Sequence, residues 1–81
     1  MDMRLTYDPK YNIAYLALQE KTAEVETIRV SDELNVDLAP DGTIYGMELL
    51  NANRQLRVDC QEALVVTNAS SGASSSVKLP L

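Results

Sequence analysis

Apolar and polar residues alternate along most of the first fifty residues, and this period of two constrains the fold more than any other feature. Successive side chains of a β-strand point to opposite faces, so alternation is typical of strands with one dry and one wet face. The pattern predicts strands at residues 3–7, 13–18, 24–30, 34–38 and 43–50. The predicted fold class is mainly β (α+β): an antiparallel meander of five to seven strands with one short helix packed on one face.

Residues 13–18 form the longest apolar run of the chain. Both the odd-numbered and the even-numbered residues of this run are apolar, so both faces of a strand formed by them would be apolar. A strand of this kind is expected where both of its faces are covered. A short helix covers one face of a small sheet, which leaves the face that carries Ile13, Tyr15 and Ala17. We predict that these three residues form an interface with a second copy of the chain, unless the C-terminal segment covers them.

The turn signal at Asp41-Gly42 indicates a hairpin and its register. With a two-residue loop, three apolar pairs lie on one face: Leu34 with Leu49, Val36 with Met47, and Leu38 with Tyr45. A three-residue loop would place charged residues opposite apolar ones, so the loop is predicted to have an even number of residues. The opposite face then carries Asp37 and Glu48, which we expect to be exposed to water.

The pattern changes after residue 50. Asn51 is a candidate N-cap for a short helix with Ala52 and Leu56 on its apolar stripe. The stripe continues to Cys60, so a helix to about residue 66 is an alternative. The β-branched residues at 65–67 and the alternation at 77–81 favour a terminal hairpin instead. We therefore predict a sheet with a short helix in residues 1–61 and a C-terminal segment in residues 62–81, a hairpin with a Ser- and Gly-rich loop.

Composition excludes several classes of function. Seven basic against twelve acidic residues give a net charge of −5, which disfavours nucleic-acid binding. The chain has no histidine and one cysteine, so histidine-based triads and an intrachain disulfide are excluded. Cys60 is interpreted as a small buried hydrophobe. No apolar run is long enough to cross a membrane and the first residues resemble no secretion signal, so we expect no membrane association and a cytoplasmic location.

One set of polar residues is a candidate for metal binding or for acid–base catalysis. Asp37 and Glu48 share the polar face of the predicted hairpin, and Asp8 could approach from the first loop. Oxygen ligands suit Mg²⁺ or Ca²⁺, and two carboxylates with different pKa values could act as acid and base. The simpler interpretation is that a half-exposed strand carries polar residues on its wet face. The residues identify no catalytic group and imply no cofactor, so a non-enzymatic protein is favoured.

Three stretches of the sequence carry a family resemblance. They are Thr6-Tyr7-Asp8-Pro9 followed by residues 14–18, then residues 35–38 with Asp41-Gly42, and then residues 46–50. Together they resemble the small bacterial proteins catalogued as Domain of Unknown Function 2283, over about residues 3–56. The sequence departs from the family pattern at Asn12, where an acidic residue is common, and at Met47, where Ile is usual.

The resemblance implies a compact antiparallel sheet with a short helix after it, and it implies no activity. Association of such proteins with neighbouring small genes implies a partner-binding or antitoxin-like role. Combined with the two apolar faces of residues 13–18, this favours a homodimeric, non-enzymatic interaction module with a possible small protein partner. The alternative is a protein that binds a divalent metal or another ligand on its acidic sheet face, with hydrolase activity as a weaker variant.

Overall fold

The computed structural model describes residues 2–20, 24–60 and 63–81. Within these ranges the chain forms seven strands and one helix: β1 (Arg4–Asp8), β2 (Ile13–Ala17), β3 (Glu26–Ser31), β4 (Leu34–Leu38), β5 (Ile44–Leu50), α1 (Ala52–Gln55), β6 (Ala63–Thr67) and β7 (Ser74–Lys78). The first five strands form one antiparallel sheet in the order β1-β2-β5-β4-β3, and β6 pairs with β7 in a separate two-stranded sheet. The predicted antiparallel, mainly β fold with one short helix is confirmed.

The strand order places β2 between β1 and β5. Residues Ile13–Ala17 pair along their whole length with the last five residues of β5, from Ile13 opposite Leu50 to Ala17 opposite Gly46. An interior strand has neighbours on both sides and contacts little water along its backbone. The side chains on both faces of β2 are therefore flanked by those of β1 and β5, and all five residues are buried or half-buried.

The register of the five strands separates an apolar from a polar face. Directly opposed residues of adjacent antiparallel strands carry their side chains on the same face of the sheet. One line of opposed residues crosses all five strands, and we call it the aliphatic row: Leu5, Leu16, Met47, Val36 and Ile28. The line beside it points to the other face and is mostly polar: Thr6, Tyr15, Glu48, Asn35 and Arg29.

Little apolar surface is buried in a single chain. Of the described residues, the buried apolar ones are Ala14, Tyr45 and Ala52, and none of the large side chains is fully buried. The two ends of the aliphatic row, Leu5 and Ile28, are each 39% exposed. The apolar face of the β4–β5 hairpin was predicted to be buried, but its members are mostly half-buried, because a four-residue helix is too short to cover a five-stranded sheet.

The loop between β4 and β5 differs from the predicted even loop. The Ala39 N–H donates to the Thr43 carbonyl oxygen at 2.8 Å, so that three residues, 40–42, form the loop. Its last residue, Gly42, has a φ of 90°, a left-handed conformation that glycine adopts without strain. Three-residue hairpin loops commonly end in such a residue. The prediction of an even loop was therefore wrong.

A bulge restores the predicted register beyond this loop. It lies between Asp37 and Leu38, so Leu38 pairs with Ile44 and not with Tyr45. A bulge places two residues of one strand opposite one of its neighbour and so shifts the parity by one. The other two predicted pairs form, Leu34 with Leu49 and Val36 with Met47. In the same register Asn35 lies opposite Glu48, and Asp37 lies opposite Gly46.

The short helix begins where predicted, but its N-terminal cap is a different residue. Asn51 has a left-handed conformation, with φ 55° and ψ 46°, and makes no side-chain cap. The cap comes from the β1–β2 turn, where Asn12 Oδ1 accepts the Asn53 N–H at 2.7 Å and the Asn12 carbonyl oxygen accepts the Ala52 N–H at 3.0 Å. Asn12 Nδ2 also donates to Asn53 Oδ1 at 2.9 Å. The first turn of the sheet therefore holds the start of α1.

Glu33, in the β3–β4 turn, ties that turn to the same helix. Arg54 Nη2 donates to Glu33 Oε2 at 2.7 Å, and Gln55 Nε2 donates to the Glu33 and Leu50 carbonyl oxygens at 2.8 and 2.6 Å. The Arg54 hydrogen bond is the main cause of a lowered pKa of Glu33, followed in the same direction by the Asn51 hydrogen bond. A lowered folded-state pKa stabilises the fold at neutral pH, and this contribution is lost as the pH falls through that pKa.

The C-terminal segment forms a hairpin and does not continue the helix, which ends at Gln55. In the β6–β7 hairpin, Leu64 lies opposite Val77 and Val66 lies opposite Ser75. Leu64, Val66 and Val77 are 53%, 56% and 56% exposed. The division of the chain into domains at residues 61 and 62, which lie outside the described residues, stays a prediction.

Asn12→Ala is expected to destabilise the fold by about 1–2 kcal/mol, because the helix loses its cap and an alanine occupies a positive φ. Asn12→Asp keeps the oxygen that accepts the Asn53 N–H and should cost less. Urea denaturation at one fixed protein concentration measures both. Equal losses for the two variants would contradict the capping role of Asn12.

Candidate functional site

Four strands bring a polar cluster together on the face opposite the aliphatic row. Tyr15 of β2 lies opposite Glu48 of β5, and Thr27 of β3 lies opposite Asp37 of β4. These four residues line an open pocket with a volume of about 370 Å³. The structure therefore brings together Asp37 and Glu48, as the sequence predicted, and adds Tyr15 and Thr27.

Asp37 is the central residue of this cluster, and its expected exposure was wrong. The residue is only 8% exposed. Tyr15 Oη donates to Asp37 Oδ2 at 2.6 Å, and Thr27 Oγ1 donates to Asp37 Oδ1 at 2.7 Å. A carboxylate withdrawn from water needs hydrogen-bond donors to replace its hydration, and both of its oxygens accept one here. Asp37 therefore joins three strands through side chains as well as through the backbone.

Gly46 creates the space that lets Tyr15 reach Asp37. Gly46 lies opposite both Asp37 and Ala17, two residue pairs along the ladder from Tyr15 and on the same face of the sheet. A Cβ atom at position 46 would lie 2.6 Å from Tyr15 Oη, 2.7 Å from Tyr15 Cε1 and 2.7 Å from the Leu16 carbonyl oxygen. Those distances are far below van der Waals contact, so the tyrosine ring lies across the backbone where a side chain is missing. The sequence analysis did not connect Tyr15 with Gly46, although a glycine inside the mainly apolar strand β5 was a signal for a close approach.

Glu48 occupies the neighbouring side of the pocket. It is half-buried, and its Oε1 accepts a hydrogen bond from Asn35 Nδ2 at 2.9 Å. This pair joins β4 and β5, whereas Tyr15, Thr27 and Asp37 join β2, β3 and β4. The two carboxylates thus share one pocket while each is held by different donors.

The third proposed ligand, Asp8, lies elsewhere. It ends β1 opposite Ile13, and its Oδ1 accepts the Lys10 N–H at 2.9 Å in the β1–β2 turn. Within residues 2–20, 24–60 and 63–81, no group of three or more His, Cys, Asp or Glu side chains is placed to hold a metal ion. A metal in the pocket would depend on Asp37 and Glu48 together with neutral oxygens.

Two further predicted features concern the surface. Ile13, Tyr15 and Ala17 are half-buried on the polar face, and the interface predicted for them stays a prediction. Cys60 was interpreted as buried, but it lies exposed in the turns after α1, because the helix stops before reaching it.

No helix in the described part of the chain has the length and apolarity to cross a membrane.

The part of the chain that forms the five-stranded sheet and the start of α1 matches a known family. The model of a protein family of unknown function, DUF2283, matches residues 4–53. The chain belongs to this family. The DUF2283 region contains β1 to β5 and the start of α1, whereas the β6–β7 hairpin lies outside it. No curated protein and no solved structure matched the chain.

Asp37→Ala is expected to lower the free energy of unfolding by about 1–3 kcal/mol, because the Tyr15 and Thr27 hydroxyls lose their acceptor. Asp37→Asn keeps one acceptor oxygen and should cost less. A double-mutant cycle with Tyr15→Phe should give a coupling energy of about 0.5–1.5 kcal/mol. Asp59→Ala, which removes an exposed carboxylate, is the control. A loss at Asp37 no larger than at Asp59 would show that the cluster does not support the fold.

Proposed function

We propose that this DUF2283 protein is a non-enzymatic interaction module that forms a two-fold homodimer through the apolar face of its five-stranded sheet. The observation that carries the proposal is the incompletely buried aliphatic row, which crosses all five strands and whose ends, Leu5 and Ile28, are each 39% exposed. Contiguous apolar surface of this kind marks sites of association in soluble proteins. Closed two-fold pairing is the commonest way in which such a surface is covered.

The size of the apolar face supports association. Five strands about 4.8 Å apart and about 17 Å long present a projected area of roughly 400 Å². Burial of apolar surface contributes about 25 cal/mol per Å² to the free energy of folding. A single chain that leaves the aliphatic row incompletely buried therefore lacks part of the stabilisation that a small domain needs. A second copy would supply it by making a two-layered core from two single sheets.

The polar pocket supports a non-enzymatic protein. Asp37 is held by two hydroxyl donors, and Glu48 is held by Asn35, so both carboxylates act as cross-strand links. The described residues around them supply neither histidine nor cysteine. In a dimer built on the apolar faces, the polar faces point outward, which is compatible with the partner-binding, antitoxin-like role that the family resemblance implies.

Two neighbouring residues of β1 offer a matched test. Leu5 lies on the apolar face and Thr6 on the polar face, and both are exposed in the single chain. Leu5→Glu should raise the dimer dissociation constant at least about tenfold, because it places a carboxylate in the apolar interface. Thr6→Glu makes the same change of charge and should leave the constant nearly unchanged. Sedimentation equilibrium over a wide concentration range measures both.

Two outcomes contradict the proposal. A wild-type chain that stays at 8.9 kDa up to high micromolar concentration does not dimerise. A dimer that is weakened by Thr6→Glu and not by Leu5→Glu uses the opposite face, next to Tyr15, as the sequence analysis predicted.

A ligand site in the polar pocket is the second candidate function. It is favoured by the two carboxylates, Asp37 and Glu48, that line one open pocket of about 370 Å³. Mg²⁺ or Ca²⁺ bound there would raise the melting temperature, since a ligand of the native state stabilises it. Under the interaction-module proposal we expect no rise at millimolar metal. A rise that Glu48→Gln abolishes would favour the metal-binding alternative.

A further inference from the structure

The β4–β5 turn contains an aspartate followed directly by a glycine, Asp41-Gly42, which is a chemically labile pair. The backbone nitrogen of the residue after an aspartate can attack the side-chain carboxyl carbon, and a glycine there has no side chain to block the approach. Both residues are exposed, and a Cβ atom at position 42 would meet no other described atom within 4 Å. Steric access is therefore open, and a restraint on this reaction has to come from the turn itself.

Hydrogen bonds of the folded turn engage both groups that would react. The Gly42 N–H donates to the Ala39 carbonyl oxygen at 2.9 Å. Asp41 Oδ1 accepts the Thr43 N–H at 2.9 Å. Attack requires the Gly42 nitrogen to lose its proton and approach Asp41 Cγ, so the first hydrogen bond has to break while the second holds the carboxylate beside Thr43. Both hydrogen bonds therefore oppose the reaction in the folded chain.

The charge of the Asp41 carboxyl acts in the same direction. Hydrogen bonding by the Thr43 side chain, followed by that of the Thr43 N–H, lowers the pKa of Asp41 below its ordinary value. Ring closure expels the carboxyl hydroxyl as water, so it starts from the protonated acid. The folded turn thus keeps this carboxyl in its ionised, less reactive form at neutral pH.

Pro40 holds the turn in the conformation that makes these hydrogen bonds. It is the second residue of the turn that the bond from Gly42 to Ala39 closes, and the fixed φ of proline suits this position. Proline has no N–H, so replacing it removes no hydrogen-bond donor and only frees the backbone. A change at position 40 therefore alters how often the turn opens without altering the reacting groups.

We propose that Asp41 is a site of succinimide and isoaspartate formation that the folded β4–β5 turn restrains, so that the modification accumulates in chains whose turn has opened. The Gly42 nitrogen bonds to Asp41 Cγ, and the carboxyl hydroxyl leaves as water with the proton of that nitrogen. Water then adds to the ring. Cleavage of the bond between the nitrogen and Cγ restores aspartate, and cleavage at the original peptide carbonyl gives isoaspartate. The inference does not depend on the proposed homodimer.

Isoaspartate at position 41 changes the turn that contains it. The chain then runs through Cβ, which adds one backbone carbon to the three-residue loop, and the carboxylate that accepts the Thr43 N–H becomes part of the backbone linkage. The modified loop cannot repeat the original hydrogen bonds with the same atoms. A chain that is modified while open therefore refolds with a weaker β4–β5 turn.

Purified full-length protein is incubated at neutral pH, in native buffer and in concentrated guanidinium chloride. Isoaspartate at position 41 is measured by labelling with an isoaspartyl methyltransferase and by mass spectrometry of the peptide that contains it. Formation in native buffer should be at least about tenfold slower than in denaturant, because a hydrogen-bonded turn is open in a small fraction of chains.

Met3→Gly supplies the matched control, because it places a second Asp–Gly bond at residues 2–3. Both of these residues are exposed and precede the first strand, outside any hairpin turn. The rates of isoaspartate formation there should agree within about twofold between buffer and denaturant, since no turn has to open. Their ratio corrects for the direct effect of denaturant on the reaction.

Pro40→Gly tests whether the turn is the restraint. Isoaspartate at position 41 should form at least about threefold faster in native buffer, while its rate in denaturant stays unchanged. Absence of isoaspartate at this position in denaturant would show that Asp41 is not a modification site. Equal corrected rates in buffer and denaturant, or an unchanged rate in Pro40→Gly, would overturn the restraint by the turn.

Discussion

The antiparallel pairing of β2 with β5 is the interaction on which the rest of the structure depends. β1–β2 is a local hairpin and β3–β4–β5 is a local meander, and each can form from neighbouring segments of the chain. Their union requires residues 13–17 to find residues 46–50 across about thirty positions, which costs loop-closure entropy. That pairing lines up the aliphatic row on one face and brings Tyr15 within reach of Asp37 on the other. It also brings Asn12 to the start of α1.

Much of this fold follows from the sequence, because period-two alternation determines both strands and faces. Residues 34–37 and 46–49 could be paired correctly, since a slip by one residue would have placed charged residues among apolar ones. The loop length could not be predicted in the same way. Parity alone cannot distinguish an even loop from an odd loop compensated by a bulge, and the chain uses the second arrangement. The cap of α1 was missed because its donor and acceptor lie about forty residues apart in sequence.

The polar cluster shows a different limit of sequence reasoning. Asp37 and Glu48 were placed on one face by alternation, but alternation predicts only that a face is polar. The burial of Asp37 depends on Tyr15, which counted as apolar in the pattern although its hydroxyl makes the decisive hydrogen bond. Tyrosine combines a large apolar ring with a polar end, so its role depends on what lies within reach of the oxygen. Here the missing side chain of Gly46 determines that reach.

The bulge between Asp37 and Leu38 has a consequence for how this turn can change over evolution. In a hairpin that keeps its loop length and has no bulge, gain or loss of one residue near the turn shifts the register by one and inverts the faces of everything beyond it. In this chain the extra residue at the turn is already compensated within the ladder, before Val36 and Met47 meet. Deleting one loop residue can therefore be absorbed by loss of the bulge, with the aliphatic row and the Asp37 cluster kept in place. The β4–β5 turn is a position where a one-residue deletion is buffered from the two faces of the sheet.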